Sequence, residues 1–63
     1  MTTAVVLTVG NEIVSGDVEN TNASWLARRL AALGVTVRLT AALGDEIEDV
    51  AAFLRAEAPR ADV

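Results

Sequence analysis

Two apolar runs of different character frame the chain. Residues 4–9, Ala-Val-Val-Leu-Thr-Val, are almost entirely apolar and rich in β-branched side chains. A strand of this kind is expected where both faces are covered, as in the middle of a parallel sheet. Residues 35–40 alternate instead, with Val35, Val37 and Leu39 on one face and Thr36, Arg38 and Thr40 on the other. That is the habit of a strand near an edge. Between the two, residues 23–33 have helical spacing: Ala23, Leu26, Ala27, Leu30 and Leu33 fall on one stripe, with Arg28 and Arg29 off it. Asn20, Thr21 or Asn22 can cap its start, and Gly34 stands where a left-handed residue ends a helix. A second stripe runs through Ile47, Val50, Ala51 and Leu54, with Ala58 just beyond. Asp45, Glu46, Glu48 and Asp49 crowd its positive end and Pro59 stops it. Residues 61–63 read as the start of a third strand.

In a β-α-β-α-β order the crossovers between parallel strands are right-handed, and the first strand, apolar on both faces, is placed centrally. The spatial order is then 2-1-3, the helices lie on opposite faces of a mainly parallel sheet, and the architecture is an α/β three-layer αβα sandwich. Its expected core is Val6, Leu26, Leu30, Val37, Val50 and Leu54. The third strand has barely begun at Val63, so residues 1–63 are expected to be the amino-terminal portion of a larger domain. No repeat, low-complexity segment or second domain interrupts them.

Composition narrows the function classes. At 63 residues, a chain buries only about 60% of its unfolded surface and is marginally stable by itself. It has no cysteine and no histidine, which removes disulfides, thiolate sites, imidazole bases and most zinc sites. Five arginines, no lysine and nine acids leave a net charge of −4, which disfavours nucleic acid and anionic membrane surfaces as partners. There is no basic leader and no apolar run of membrane-spanning length. A cytoplasmic location is the expectation.

The segment TVGNEIVSGDVENTN, residues 8–22, is longer and more polar than a strand-to-helix connector requires, since these usually take about two to six residues. In open α/β sheets, ligands collect beyond the carboxyl ends of the strands at the switch in strand order, and this loop lies there. It leads into a helix N-terminus, where free N–H groups favour an anion. Gly10 and Gly16 permit close backbone approach, while Asn11, Glu12, Ser15, Asn20, Thr21 and Asn22 offer donors and acceptors. The turn Gly44-Asp45-Glu46 ends at the same edge. A plainer reading makes Asn22 and Asp45 helix caps, the glycines simple turns, Glu12 a solvated acid and Trp25 packing. The glycine spacing matches neither a P-loop nor the dinucleotide fingerprint. From the residues alone the site is an anion-friendly crevice without a named ligand.

Taken together, Gly10-Asn11-Glu12-Ile13-Val14-Ser15-Gly16, then Glu19-Asn20-Thr21-Asn22, then Asp45-Glu46, resemble the molybdopterin-binding domain of the MogA/MoeA superfamily. Within it, the chain is similar to the amino-terminal domain of the competence-damage-inducible protein A (CinA) family. The resemblance runs over nearly the whole chain. It implies molybdopterin or a nucleotide as ligand, a divalent metal such as Mg²⁺, and cleavage or formation of a phosphoanhydride by the whole protein. It implies that Asp45 is the catalytic carboxylate and metal ligand, and that Gly10, Asn11, Glu12, Ser15, Gly16, Asn20, Thr21 and Asn22 line the pocket. Position 11 is Asn where that family commonly has Thr, Asp or Ser. The family's glycine-rich phosphate loop follows the third strand, beyond Val63, so the 63 residues alone are expected to be inactive. From a different class, the chain is a non-catalytic module that completes its sheet with another chain. A homo-oligomer is expected on that ground, because a central strand with an unpaired edge is a template for pairing.

Overall fold

A computed structural model describes residues 1–63. Strand β1 is Thr3–Val9 and is followed by a short helix, α1, at Asn11–Ser15. Helix α2 spans Thr21–Ala32, strand β2 Thr36–Leu43 and helix α3 Ile47–Glu57. A 3-10 turn at Ala58–Arg60 carries Pro59 and closes α3. No helix is long and apolar enough to cross a membrane.

β1 and β2 pair in parallel, from Thr3 opposite Thr36 to Val9 opposite Leu43. The register shifts once, between Ala4 and Val5, where Arg38 is the extra residue of β2. β2 therefore runs three residues beyond the expected 35–40, because Ala41, Ala42 and Leu43 find partners in Leu7, Thr8 and Val9.

Residues 61–63 take up the other edge of β1. The Val63 N–H donates to Thr3 O at 3.1 Å and the Val5 N–H donates to Val63 O at 2.9 Å. One residue flanked by two partners spaced two apart is the parallel ladder pattern. Thr2 O, which points to the opposite side of the strand, accepts from the Thr36 N–H of β2. The sheet itself has two strands, and β1 lies between β2 and the bonded residues 61–63, the side on which a third strand was expected. The Asp62 side chain adds a bond here, accepting from the Thr3 N–H at 2.9 Å.

The two long helices sit on opposite faces. Ala4, Val6 and Ala23 are buried where α2 lies on the sheet. Val5 and Leu7, pointing the other way, form a groove with Phe53 and Leu54 of α3. The molecule measures 32 × 25 × 10 Å. Layers about 10 Å apart need roughly 20 Å to stack, so the thin direction is the sheet's width, two to three strands at about 4.8 Å each. The chain is a narrow slice of an αβα sandwich. Its radius of gyration of 12.1 Å exceeds the roughly 11 Å of a compact chain of this length.

Several boundaries and core assignments need correction. Residues 11–15, read as loop, are helical: the Gly10 carbonyl accepts from Ile13 and Val14, and Gly16 closes the turn at φ 87° with its N–H on Ile13 O. α2 begins at Thr21 with Asn20 as its boundary residue, so Asn22 is inside the first turn and is no cap. Its other end is as expected. Gly34 is left-handed at φ 83°, the Gly34 N–H reaches Ala31 O and the Val35 N–H reaches Leu30 O, a Schellman closure.

Only Ala4, Val6, Gly10 and Ala23 are buried. Of the expected core, Val6 is buried, Leu30, Val37 and Val50 are half-buried, and Leu26 and Leu54 remain 41% and 51% exposed. The sheet-facing line of α2 is Ala23, Ala27 and Leu30, rotated away from Leu26 and Leu33. In α3, Phe53 turns inward and Ile47, 82% exposed, does not. The physical reason is width: a sheet of two strands and a stub covers only the centre of each helix's apolar stripe.

α3 is held to the sheet's edge strand by charge. Arg38 of β2 forms an ion pair with Glu57, whose side chain keeps 17% of its exposure, and Arg60 stands 3.9 Å from the same carboxylate. The hydrogen bond from Arg38 holds the Glu57 carboxyl below its ordinary value, aided by the two nearby positive charges.

Two outcomes are expected. Ala23→Leu overpacks the closest helix-sheet contact and should cost about 1–3 kcal/mol in urea unfolding, whereas Leu33→Ala, at an exposed position, should stay within about 0.5 kcal/mol. For Glu57, the folded state favours the ionised carboxylate. Its stabilisation is complete above the ordinary value near 4.5 and fades as pH falls through the lower folded value. Wild type should therefore be more stable than Glu57→Gln at pH 7, and the gap should close on acidification below pH 4.5; a gap unchanged at pH 3 contradicts the assignment.

Candidate functional site

The carboxyl ends of β1 and β2 lie side by side because their register ends with Val9 opposite Leu43. The next rung is a hydrogen bond from the Gly10 N–H to Leu43 O at 2.8 Å. Two glycines, Gly10 and Gly44, thus follow the two strand ends directly. The first two residues of α1 lie over them. A Cβ on Gly10 would sit 2.9 Å from Glu12 Oε1, and a Cβ on Gly44 would sit 2.6 Å from Asn11 Oδ1.

Asn11 ties the two loops together. Its Nδ2 donates to Asp45 Oδ1 at 2.8 Å, and its Oδ1 accepts from the Asp45 N–H at 3.3 Å. A carboxylate only accepts and a backbone N–H only donates, so both groups of the amide are used and its orientation is defined. Asp45 Oδ2 has no partner within the chain. The helix boundary falls at Glu46 with no side-chain cap bond, so Asp45 does not cap α3. Its carboxylate is turned to Asn11 instead.

Asn20 is anchored separately. Its Nδ2 donates to Thr8 Oγ1 at 2.8 Å, and Thr8 Oγ1 in turn donates to Ala41 O at 3.4 Å. Asn20 Oδ1 is buried and unpartnered, a state that costs about 1–3 kcal/mol. This chain of bonds holds the start of α2 against the end of β1.

The remaining expected pocket residues are dispersed. Ser15 spends its hydroxyl on Glu12 O at 3.2 Å, and Glu12 O also accepts from the Val18 N–H. Gly16 closes α1 at the end away from the strands. Thr21 and Asn22 are exposed in the first turn of α2. No hydrogen bond joins Ser15, Gly16, Thr21 or Asn22 to Asp45 or Asn11. Thr8 and Gly44 belong to the site although neither was singled out from the sequence. The available signals were one hydroxyl in an apolar strand and one glycine placed directly before an acid.

Electrostatically this edge is acidic. Glu12 lies in the first turn of α1, Asp45 and Glu46 precede α3, and Glu48 and Asp49 lie in its first turn. All are exposed. No arginine forms an ion pair here; those that do, Arg38 and Arg60, are with Glu57. Hard oxygen donors in such a setting suit a cation of the Mg²⁺ type. No three acids converge anywhere in the chain, so it holds no complete carboxylate metal centre of its own.

Comparison with known proteins adds the family. Residues 5–63 match a family described as a probable molybdopterin binding domain. A CinA-like protein of Frankia casuarinae is 47% identical over 60 residues, covering 95% of this chain and 14% of that protein. A protein of Pyrobaculum calidifontis is 46% identical over 63 residues, covering 100% of this chain and 24% of its own length. A CinA-like protein of Thermomicrobium roseum is 46% identical over 52 residues, 82% of this chain and 13% of that protein. The chain therefore spans no more than about a quarter of these relatives. No solved structure matches it significantly. With a parallel β1-β2 pair flanked by residues 61–63, a polar loop at its carboxyl edge and a match over residues 5–63, the chain belongs to the molybdopterin-binding domain family.

Proposed function

We propose that this segment forms one wall of a pocket for the phosphate-bearing part of a nucleotide or pterin, within a CinA-type domain. In the whole protein, that domain makes or cleaves a phosphoanhydride. The observation that carries the reading is the Asn11–Asp45 pairing, which draws the loop after β1 and the turn after β2 into one feature at the sheet's carboxyl edge. Ligands of open α/β sheets bind at such edges. The CinA-like names of two relatives, each far longer than this chain, support it.

The roles follow from chemistry. Asn11 and the α1 backbone position the edge, Asn20 secures the start of α2, and Glu12 and Asp45 supply carboxylates. Asp45, through its unpartnered Oδ2, is the residue that would hold a divalent cation. Such an ion supplies the positive charge that phosphate oxygens need beside this acidic surface. The remaining ligands would come from phosphate, water or residues outside these 63. Ser15, Gly16, Thr21 and Asn22 belong to the proposed pocket only as its outer rim.

A second reading, a binding module that completes its sheet with another copy, is favoured by a separate observation. Only four residues are buried, while Trp25, Leu33, Ile47 and Val63 are each more than half exposed. Apolar surface of this kind marks interfaces.

In the intact protein, Asp45→Asn should reduce metal-dependent turnover of a dinucleotide pyrophosphate about tenfold or more while shifting the melting temperature by only a few degrees. Unaltered kinetics would reject the pocket, because Asn keeps the oxygen that accepts from Asn11 but removes the charge. The module reading is checked by sedimentation of the 63-residue chain across a concentration series. Association that strengthens with concentration is expected; a cooperative monomer at micromolar concentration counts against it.

A further inference from the structure

Gly44 does not need to be glycine for backbone reasons: the only left-handed glycines are Gly16 and Gly34. What it lacks is a side chain. Apart from its chain neighbours, a Cβ built there meets nothing within 4 Å except Asn11, with Oδ1 at 2.6 Å and Cγ at 3.8 Å. The first distance is shorter than any real Cβ contact, and the atom it meets is the one that accepts the Asp45 N–H. The same Asn11 amide donates to Asp45 Oδ1. Beyond its chain neighbours, a side chain at 44 would therefore meet Asn11 alone, and the amide of Asn11 bonds through both its nitrogen and its oxygen to the residue next to Gly44.

We propose that Asn11 is the positioning residue for the Asp45 carboxylate and that Gly44 is its seat, the missing Cβ at 44 being what lets the amide close on Asp45. The proposal rests on the pocket reading for its functional consequence, but the contact itself is independent of any ligand. With Oδ1 engaged by Asn11, the carboxylate is held against rotation and presents Oδ2 outward. A methyl group at 44 displaces the Asn11 amide, and both bonds to Asp45 are lost together. Asn11 is exposed and at the start of a five-residue helix, so displacement requires no rearrangement of the sheet. The carboxylate then rotates freely and its orienting contribution to binding disappears.

Four forms of the intact protein decide this: wild type, Gly44→Ala, Asn11→Ala and the double variant. The side-chain amide resonance of Asn11, assigned by its loss in Asn11→Ala, is followed by NMR, and the dissociation constant for ADP-ribose with Mg²⁺ is measured by calorimetry. In Gly44→Ala the amide signal should move to the position of a free asparagine. Affinity should fall about tenfold, the scale of a lost hydrogen bond to a charged group. In the Asn11→Ala background, adding Gly44→Ala should change affinity no further, because the amide it would displace is gone. An amide signal that stays in place, or an equal loss in both backgrounds, overturns the proposal. If Gly44→Ala fails to fold but the double variant folds, the clash with Asn11 is upheld; failure of both overturns it. If wild type does not bind ADP-ribose, the nucleotide reading fails for that probe, and the amide resonance alone still decides whether Gly44 seats Asn11.

Discussion

Thr3 opposite Thr36 at one end and Val9 opposite Leu43 at the other define a parallel register on which every later feature depends. Parallel strands cannot be joined by a tight turn, so their carboxyl ends emerge at one edge and each must be followed by a loop there. The hydrogen bond from Gly10 to Leu43 is the last rung of that ladder and sets the two loops at arm's length. A one-residue slip would reverse which side chains of β2 face α2. It would also carry Gly44 away from Asn11 and Asp45 away from the loop that reaches it. The irregularity at Arg38 adjusts the pairing near the other end and leaves the carboxyl edge in step.

Packing on this frame is close but narrow. α2 approaches the sheet through Ala23 and Ala27, small enough to bring the helix down on Ala4 and Val6. α3 lies over the opposite face, where Val5 and Leu7 border an open groove with Phe53 and Leu54, and its charged residue Glu57 reaches across to Arg38. Both helices are amphipathic, yet α2 lays only the middle of its apolar stripe on the strands, and α3 borders a groove over them. The flanks, Leu26 and Leu33 on one helix and Ile47 on the other, stay in solvent. Stability in such a chain comes from backbone pairing and a few small buried residues, so a single overpacked alanine weighs heavily against it.

The edge where the loops meet uses glycine in a different way from a turn. Gly16 and Gly34 are present for their left-handed backbone. At Gly44 the space a side chain would take is held by Asn11, and at Gly10 the Glu12 carboxylate lies over the backbone. α1 is only five residues long, and its placement rests on these two seats, on the Asn11–Asp45 bonds and on the Val18 N–H returning to Glu12 O. Polar groups that would otherwise drift in water are thereby held at the exit of the sheet, which is the condition for a binding surface.

Much was legible along the chain because it depends on neighbours in sequence. The apolar run of β1, the alternation of β2, the two helical stripes, the Gly34 stop and the Pro59 break are local, and the two-faced apolar character of β1 puts it in the centre. The motif residues around Gly10, Glu12, Asn20 and Asp45 carried the family. Tertiary structure decided the rest. Which residues of a stripe are covered depends on how many strands lie beneath it, and that turned Phe53 inward and left Leu26 and Leu54 exposed. α1 was read as loop because five residues between glycines carry too little periodicity to register, and its helix is held by contacts with Gly44 and Asp45 more than thirty residues away. Capping followed the same rule: Asp45 and Asn22 have the chemistry of caps, but in the fold Asn11 claims the first and helix phase places the second inside the turn. Local propensity names what a residue is able to do; a partner brought from far along the chain determines which of those things it does.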